Sequence, residues 1–192
     1  MNTHFIFSSF FMREKINIDN DIIKKYCLDL QSKDAGKFVT NYGGWQSSDI
    51  RGYNKELSEL IEQISHKMNH VKSILGLKNN VNISLGNYWI NINGKGGFNI
   101  PHVHPFSLVS AVYYVNVPKD SGRLVFENPI QQHDYVMKPD TVETFNGINS
   151  GYWNVEPEQG ELIIFPSWLR HWVEPNNTNE NRISIAFNLQ ID

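Results

Sequence analysis

At 192 residues and 22.2 kDa the chain is long enough to bury one substantial core and short for two, so a single domain over residues 1–192 is expected. Hydrophobic residues make up 40% and charged residues 19%, a balance that argues against disorder and against a membrane protein. The formal charge of −3, with no Lys/Arg run against it, excludes a general attraction to nucleic acid or anionic lipid.

The chain begins with an apolar run, "FIFSSFF" at residues 5–11. It lacks a basic leader, is too short for the apolar stretch of a signal peptide and runs straight into Arg13-Glu14-Lys15, so it reads as a first strand. No other stretch approaches the length of a membrane span. The lone Cys27 cannot form an intrachain disulfide; it reads as a half-buried core residue in a reducing, cytoplasmic setting. Next, "IDNDIIKKYCLDLQ" places Ile22, Ile23, Tyr26 and Leu30 at helical spacing behind an Asp19 or Asn20 cap. The stretch "NKELSELIEQISHKMNHVKSILGL" repeats the pattern with Leu57, Leu60, Ile61, Ile64, Met68, Val71 and Leu75, ended by Gly76. Between these helices "NYGGWQSSDI" reads as a loop carrying Trp45.

After residue 80 the texture changes. "VNISLGNYWINI", "LVSAVYYVNV", "GRLVFENP", "GELIIFP", "WVEPN" and "RISIAFNLQI" are short, rich in β-branched and aromatic residues, and punctuated by Gly, Pro and Asn. The fold expected is α+β, mainly β: an antiparallel sandwich or barrel over about 80–192, with a helical support region over about 1–78 packed on it.

Chemistry enters with "NIPHVHP", residues 99–105. In a strand, residues i and i+2 share a face, so His102 and His104 can converge on one ion. Alone, such a pair is as readily two surface or hydrogen-bonded imidazoles. Downstream, the buried strand "ELIIF" leads through a turn to His171, and Arg182 opens "RIS" before a last apolar strand.

That order (a PHxH pair, a strand with Tyr-Tyr, a Gly-led apolar strand, a distant His, then Arg-x-Ser) resembles the Fe(II)/2-oxoglutarate-dependent oxygenases, which fold as a double-stranded β-helix, or jelly roll. It is most similar to an uncharacterised branch in marine bacteria and their viruses, through "GGWQS" at Gly43–Ser47, "HVHP" at His102–Pro105 and "SAVYYV" at Ser110–Val115. The match spans most of the chain. A viral source would place the protein in an infected cell.

The resemblance implies that His102 and His171 take two positions on Fe(II), that Arg182 pairs with the far carboxylate of 2-oxoglutarate, and that Ser184 adds a hydroxyl from the same strand face. Paired guanidinium donors suit a carboxylate, although a strand arginine in an ordinary salt bridge is the plain alternative. Asn91, Asn93, Tyr113 and Tyr114 flank the motif and could hydrogen-bond the co-substrate, or simply fill the barrel. The implied activity is O2-dependent hydroxylation with release of succinate and CO2.

His104 departs from the family pattern, which has a carboxylate there. Two histidines and one carboxylate leave three positions on iron for a 2-oxo acid and dioxygen; a third neutral imidazole raises the site charge by one unit. Three-histidine sites also occur in cupin-type dioxygenases that use no 2-oxoglutarate, and three imidazoles plus water make a zinc site. Against the cupin reading, Leu108 and Val109 stand where a cupin has its glutamate, and Arg-x-Ser is present. Two further alternatives stay open: Glu127 as the third ligand, and a jelly roll that binds metal or carboxylate without turnover. His4, His66, His70 and His133 read as solvated. A structural role in a larger particle would call for an exposed apolar patch. The substrate, small molecule or peptidyl, and the oligomeric state have no readable code.

Overall fold

The computed structural model describes residues 1–4, 6–130 and 138–192. In chain order the elements are β1 (Met12–Lys15), α1 (Asn20–Gln31), β2 (Asn41–Gln46), α2 (Ser58–Ile74), β3 (Ile83–His102), β4 (Val109–Asn116), β5 (Leu124–Glu127), β6 (Tyr152–Val155), β7 (Glu161–Pro166), β8 (His171–Val173) and β9 (Arg182–Ile191).

Helix α1 starts where Asp19 caps it, its carboxylate accepting from the backbone N–H groups of Asp21 at 3.0 Å and Ile22 at 3.3 Å. Ile23 and Cys27 face the core, whereas Ile22 is 56% exposed and does not share that face. Cys27 is fully rather than half buried, and burial pushes its thiol up to about 12. Leu57, in the turn just before α2, and Leu60, Ile64, Met68 and Val71 within it build one apolar stripe, all of it buried. Beyond it, Gly76 (φ 62°) takes the left-handed conformation that ends the helix.

All nine strands join one antiparallel sheet in the order β1-β7-β4-β9-β3-β8-β5-β6, with β2 added alongside β3. The 20-residue β3 belongs to both halves. Its first part pairs with β9 from Ile83↔Ile191 to Asn93↔Arg182, and its last part pairs with β8 through Asn99↔Val173 and His102↔His171. The sheet therefore curls on itself into a half-barrel. One face, with Tyr88, Ile90, Ile92, Ile183, Ile185 and Phe187, shares a core with α1 and α2. The opposite, interior face carries a second cluster around Tyr114, Leu124, Phe126, Val155, Ile163 and Phe165.

Several expected boundaries move. The first strand is Met12–Lys15, paired with β7; the segment before it is irregular and Phe5 lies outside the described residues. "NYGGWQ" is a strand, not a loop: β2 pairs with β3 from Asn41↔Asn99 to Gln46↔Asn91. Its glycines serve close approach, since a Cβ at Gly44 would run into the Asn93 side chain. The region before residue 80 thus supplies two strands as well as the helices, and β6 is a strand that the sequence did not signal.

Candidate functional site

His102 closes β3 directly across from His171, the first residue of β8. His104 lies two residues beyond the strand end, so the shared strand face expected for the pair does not position it. Instead its backbone N–H donates to Ser167 O at 2.9 Å, which ties the residue to the turn after β7. The three imidazole rings gather nonetheless, with centroids 4.4 Å (His102–His171), 5.1 Å (His102–His104) and 5.1 Å (His104–His171) apart. One ligand nitrogen from each lies within 4.8 Å of the others, and among the described residues this is the group of His, Cys, Asp or Glu side chains that could hold a metal ion.

The tautomers follow from the partners. His102 Nδ1 meets Ile100 O at 2.7 Å and His171 Nδ1 meets Leu169 O at 2.8 Å; a carbonyl only accepts, so each Nδ1 carries the proton and leaves Nε2 a free lone pair. His104 Nδ1 donates to Asn188 Oδ1 at 2.7 Å. The orientation of Asn188 is set in turn, because its Nδ2 donates to Asn87 Oδ1 at 3.1 Å and its Oδ1 also accepts from Ser110 Oγ at 3.1 Å. Strand register places these side chains in one row, Asn87↔Asn188↔Ser110. His104 Nε2 is buried and has no hydrogen-bond partner among the described residues. Such an orphaned acceptor fits a metal ligand.

Burial is the first cause holding all three imidazoles below the ordinary histidine range. It brings His104 to about 4 against the opposing hydrogen bond to Asn188, depresses His102, and lowers His171 further with the help of its two histidine neighbours. The site thus presents neutral nitrogen donors at neutral pH, as metal binding requires.

The same narrow cavity, about 50 Å³, is lined by Asn91, Tyr114, Arg182 and Ser184 as well as the histidines, with Trp89 and Phe165 as walls. Arg182 is only 2% exposed. One of its terminal nitrogens, Nη1, donates to Ser121 O and, at 3.1 Å, to Glu174 O; the other, Nη2, is buried without a partner among the described residues. Among the described residues no carboxylate pairs with it: Glu174 is held by Arg123 at 2.7 Å. Burial lowers the guanidinium to about 10, while Tyr114 and Glu174 oppose the shift. The plain alternative, a surface arginine in a salt bridge, is therefore excluded by its burial. A buried cation with free N–H groups is costly unless an anion meets it.

The other expected residues separate. Asn91 lines the cavity, its Oδ1 without a partner among the described residues. Asn93 is paired in register with Arg182 but is not on the cavity wall, and its Nδ2 donates to Asn99 Oδ1 at 3.1 Å. Tyr114 is buried inside, and burial pushes its hydroxyl up. Tyr113 faces the other way, as strand alternation demands, and donates to Asn20 Oδ1 at 2.8 Å. Glu127 does not join the histidines: Arg170 Nε holds it at 3.3 Å. His66 and His70 are exposed on α2, and His133 lies outside the described residues. Asn99 and Thr40 on the wall, and Asn188 behind His104, are contributors that the sequence did not signal, while Trp89, a candidate wall residue from its sequence, does line the cavity.

A curled β half-barrel thus brings a three-histidine group that could hold a metal ion and a buried arginine that could meet an anion into one cavity. The model of the family described as "Putative 2OG-Fe(II) oxygenase" matches residues 87–188, more than half of the chain, and the protein belongs to that family. Its cofactor is Fe(II) and its co-substrate 2-oxoglutarate. A comparison with curated proteins finds no match. Among solved structures, the chain is similar to a prolyl-4-hydroxylase from Pseudomonas putida (18% identity, 94% of this chain and 92% of that one, TM-score 0.61). A viral collagen prolyl hydroxylase from Paramecium Bursaria Chlorella virus-1, in its 2OG complex, gives 11% identity, 93% and 94% coverage and a TM-score of 0.62. A third is a prolyl hydroxylase from Trichoplax adhaerens with a peptide fragment of the hypoxia inducible factor oxygen degradation domain (17%, 94% and 82%, TM-score 0.59). These likenesses establish the jelly-roll fold.

Proposed function

We propose that the protein hydroxylates a C–H bond of a small-molecule or peptidyl substrate, consuming O2 and 2-oxoglutarate and releasing succinate and CO2. In this reading residues 1–192 act as one oxygenase domain in a reducing, intracellular setting, which suits Fe(II) and a lone buried thiol. Fe(II) would be held by the Nε2 atoms of His102, His104 and His171. Arg182 would hold the far carboxylate of 2-oxoglutarate with Ser184 and Tyr114 around it, whereas Asn93, off the cavity wall, takes no part. When bound, the metal supplies the oxygen activation that is coupled to decarboxylation of the co-substrate.

The observation that carries the reading is the buried Arg182, its Nη2 unpartnered, in the same cavity as three histidines with free Nε2 atoms. Its role is to orient a dicarboxylate by its distal end, so that the 2-oxo acid end is delivered towards the histidines. Asn188 keeps His104 in the Nδ1–H tautomer. Trp89 and Phe165 keep bulk water from the cavity. Hydroxylation as the reaction type is supported by the prolyl hydroxylases among the structural neighbours.

The test is anaerobic addition of Fe(II) and 2-oxoglutarate followed by oxygen. A weak visible charge-transfer band and then succinate are expected from the native protein, with both lost in His171→Ala. Absence of band and succinate in the native protein sinks the oxygenase reading and leaves a binding jelly roll.

A further inference from the structure

A second cavity, about 700 Å³, lies where the half-barrel is open, between the ends of the sheet. It is walled by residues preceding β1, by β5 and β6 and the chain next to them, and by Leu169. Strand register relates it to the histidines. His102 is opposite His171, His171 opposite Phe126, and Phe126 opposite Trp153, so all four belong to one interior row. Phe126 stands between the two cavities: its ring is 6.2 Å from that of His171, and it also lines the larger space. Trp153, two strands from His171, is about 10 Å away at ordinary strand spacing.

The lining is chemically one-sided. Phe7, Phe10, Ile130, Ile148 and Trp153 supply apolar and aromatic surface; among the described lining residues there is no lysine, arginine or aspartate, and the basic side chain is the exposed His4. Glu127, the carboxylate there, is already engaged by Arg170 at 3.3 Å. Ser9 Oγ, also on the wall, is buried without a partner among the described residues. An interior-facing Trp153 left 39% exposed and an Ile148 left 53% exposed mark a surface that gains from being covered. The volume is that of a small-molecule site, apolar with a few polar groups to fix orientation.

We propose that this chamber binds the substrate, and that the substrate's anchoring part is neutral, largely apolar and ring-bearing, stacked on Trp153 with one hydrogen bond to Ser9. Beyond the engaged Glu127, His4 is the one acidic or basic side chain among the described lining residues, and it is exposed to solvent; a charged anchor in the chamber therefore has little to pair with, and desolvating it there is unfavourable. Ring stacking on an indole needs no counter-charge. The assignment of the chamber to substrate rests on the oxygenase reading of the histidine site.

The test uses two matched probes, neutral N-phenyl-1-naphthylamine and its anionic analogue 8-anilinonaphthalene-1-sulfonate, on the full chain loaded with Co(II) as a stand-in for Fe(II). Expected are saturable binding of the neutral probe, at least tenfold weaker binding of the sulfonate, and a change in the Co(II) visible spectrum on neutral-probe binding. Trp153→Ala and the surface change Ile148→Glu should each weaken the neutral probe at least tenfold while leaving Co(II) affinity unchanged. Equal binding of both probes, equal binding by Ile148→Glu, no saturable binding, or an unchanged Co(II) spectrum would each overturn the proposal. Failure of the native protein to bind Co(II) would sink the histidine-site reading instead, and is separately visible because probe fluorescence needs no metal.

Discussion

Replacing Asn188 by leucine is the most informative single change at the histidine cluster. Asn188 Oδ1 is the acceptor for His104 Nδ1 at 2.7 Å, and it touches neither of the other two rings by hydrogen bond. Leucine keeps most of the volume and removes the acceptor. The imidazole of His104 then either leaves its Nδ1–H unpaired in a buried place, at a cost of about 1–3 kcal/mol, or shifts the proton to Nε2 and loses its donor lone pair. Loss of such a partner weakens metal binding by roughly 10- to 100-fold, or about 1.4–2.7 kcal/mol. Asn188→Asp changes the sign, because a carboxylate accepts more strongly and makes His104 a better donor. Anaerobic calorimetric titration with Fe(II) or Co(II) reads both: affinity should fall in Asn188→Leu and rise in Asn188→Asp. Affinity unchanged in both variants, or lowered equally, would refute the idea that this hydrogen bond sets the donor atom of His104.

Arg182→Met removes a buried charge that lacks a carboxylate partner; thermal melting of the protein without 2-oxoglutarate should be altered little or raised, whereas the rise in melting temperature that 2-oxoglutarate gives the native protein should vanish. That rise corresponds to about 2.7 kcal/mol at a hundredfold excess over the dissociation constant, so a variant that still shows it would remove Arg182 from the co-substrate site. Metal-free stability should fall on acidification. The three histidines are held below their unfolded value near 6.5, His104 to about 4, so the unfolded chain takes up protons first. Stability is full above about pH 6.5 and is lost as pH falls from there through the folded values, by up to about 1.4 kcal/mol per pH unit for each histidine. Urea titrations at pH 7.5 and 5 check this, and equal midpoints in native protein and a His104→Gln variant at both pH values would contradict it. Leu60→Ala, in the stripe of α2 that is packed on the sheet and 1% exposed, should cost about 2–5 kcal/mol without moving metal affinity.

Much of this was legible because the helices and the later strands obey simple periods. Leu57, Leu60, Ile64, Met68 and Val71 repeat at helical spacing, and β7 and β9 are short apolar runs bounded by turn residues. The misses have physical causes. In "NYGGWQ" the two glycines imitate a loop, but they are there so that β2 can approach Asn93. In "FIFSSFF" the side chains of residues 6–11 wall a cavity rather than enter the sheet. β6 is a four-residue edge strand with one buried side chain, so no alternation betrays it. Of the residues that line the cavity, His171, Arg182 and Ser184 are suggested by the family resemblance of their order along the chain. Asn188 is not: it lies 84 positions from His104, and only the β3–β9–β4 register brings it there.

The position of His104 is the point at which this chain departs from the two-histidine, one-carboxylate pattern, and the metal's own ligand set decides it. Crystals grown anaerobically with Fe(II) and 2-oxoglutarate, measured at the iron edge, should show one anomalous peak about 2.1 Å from Nε2 of each of His102, His104 and His171. The distal carboxylate of 2-oxoglutarate should meet Arg182 Nη2. A peak ligated by His102 and His171 with His104 Nε2 outside bonding distance, or one bound by Glu127, would contradict the account.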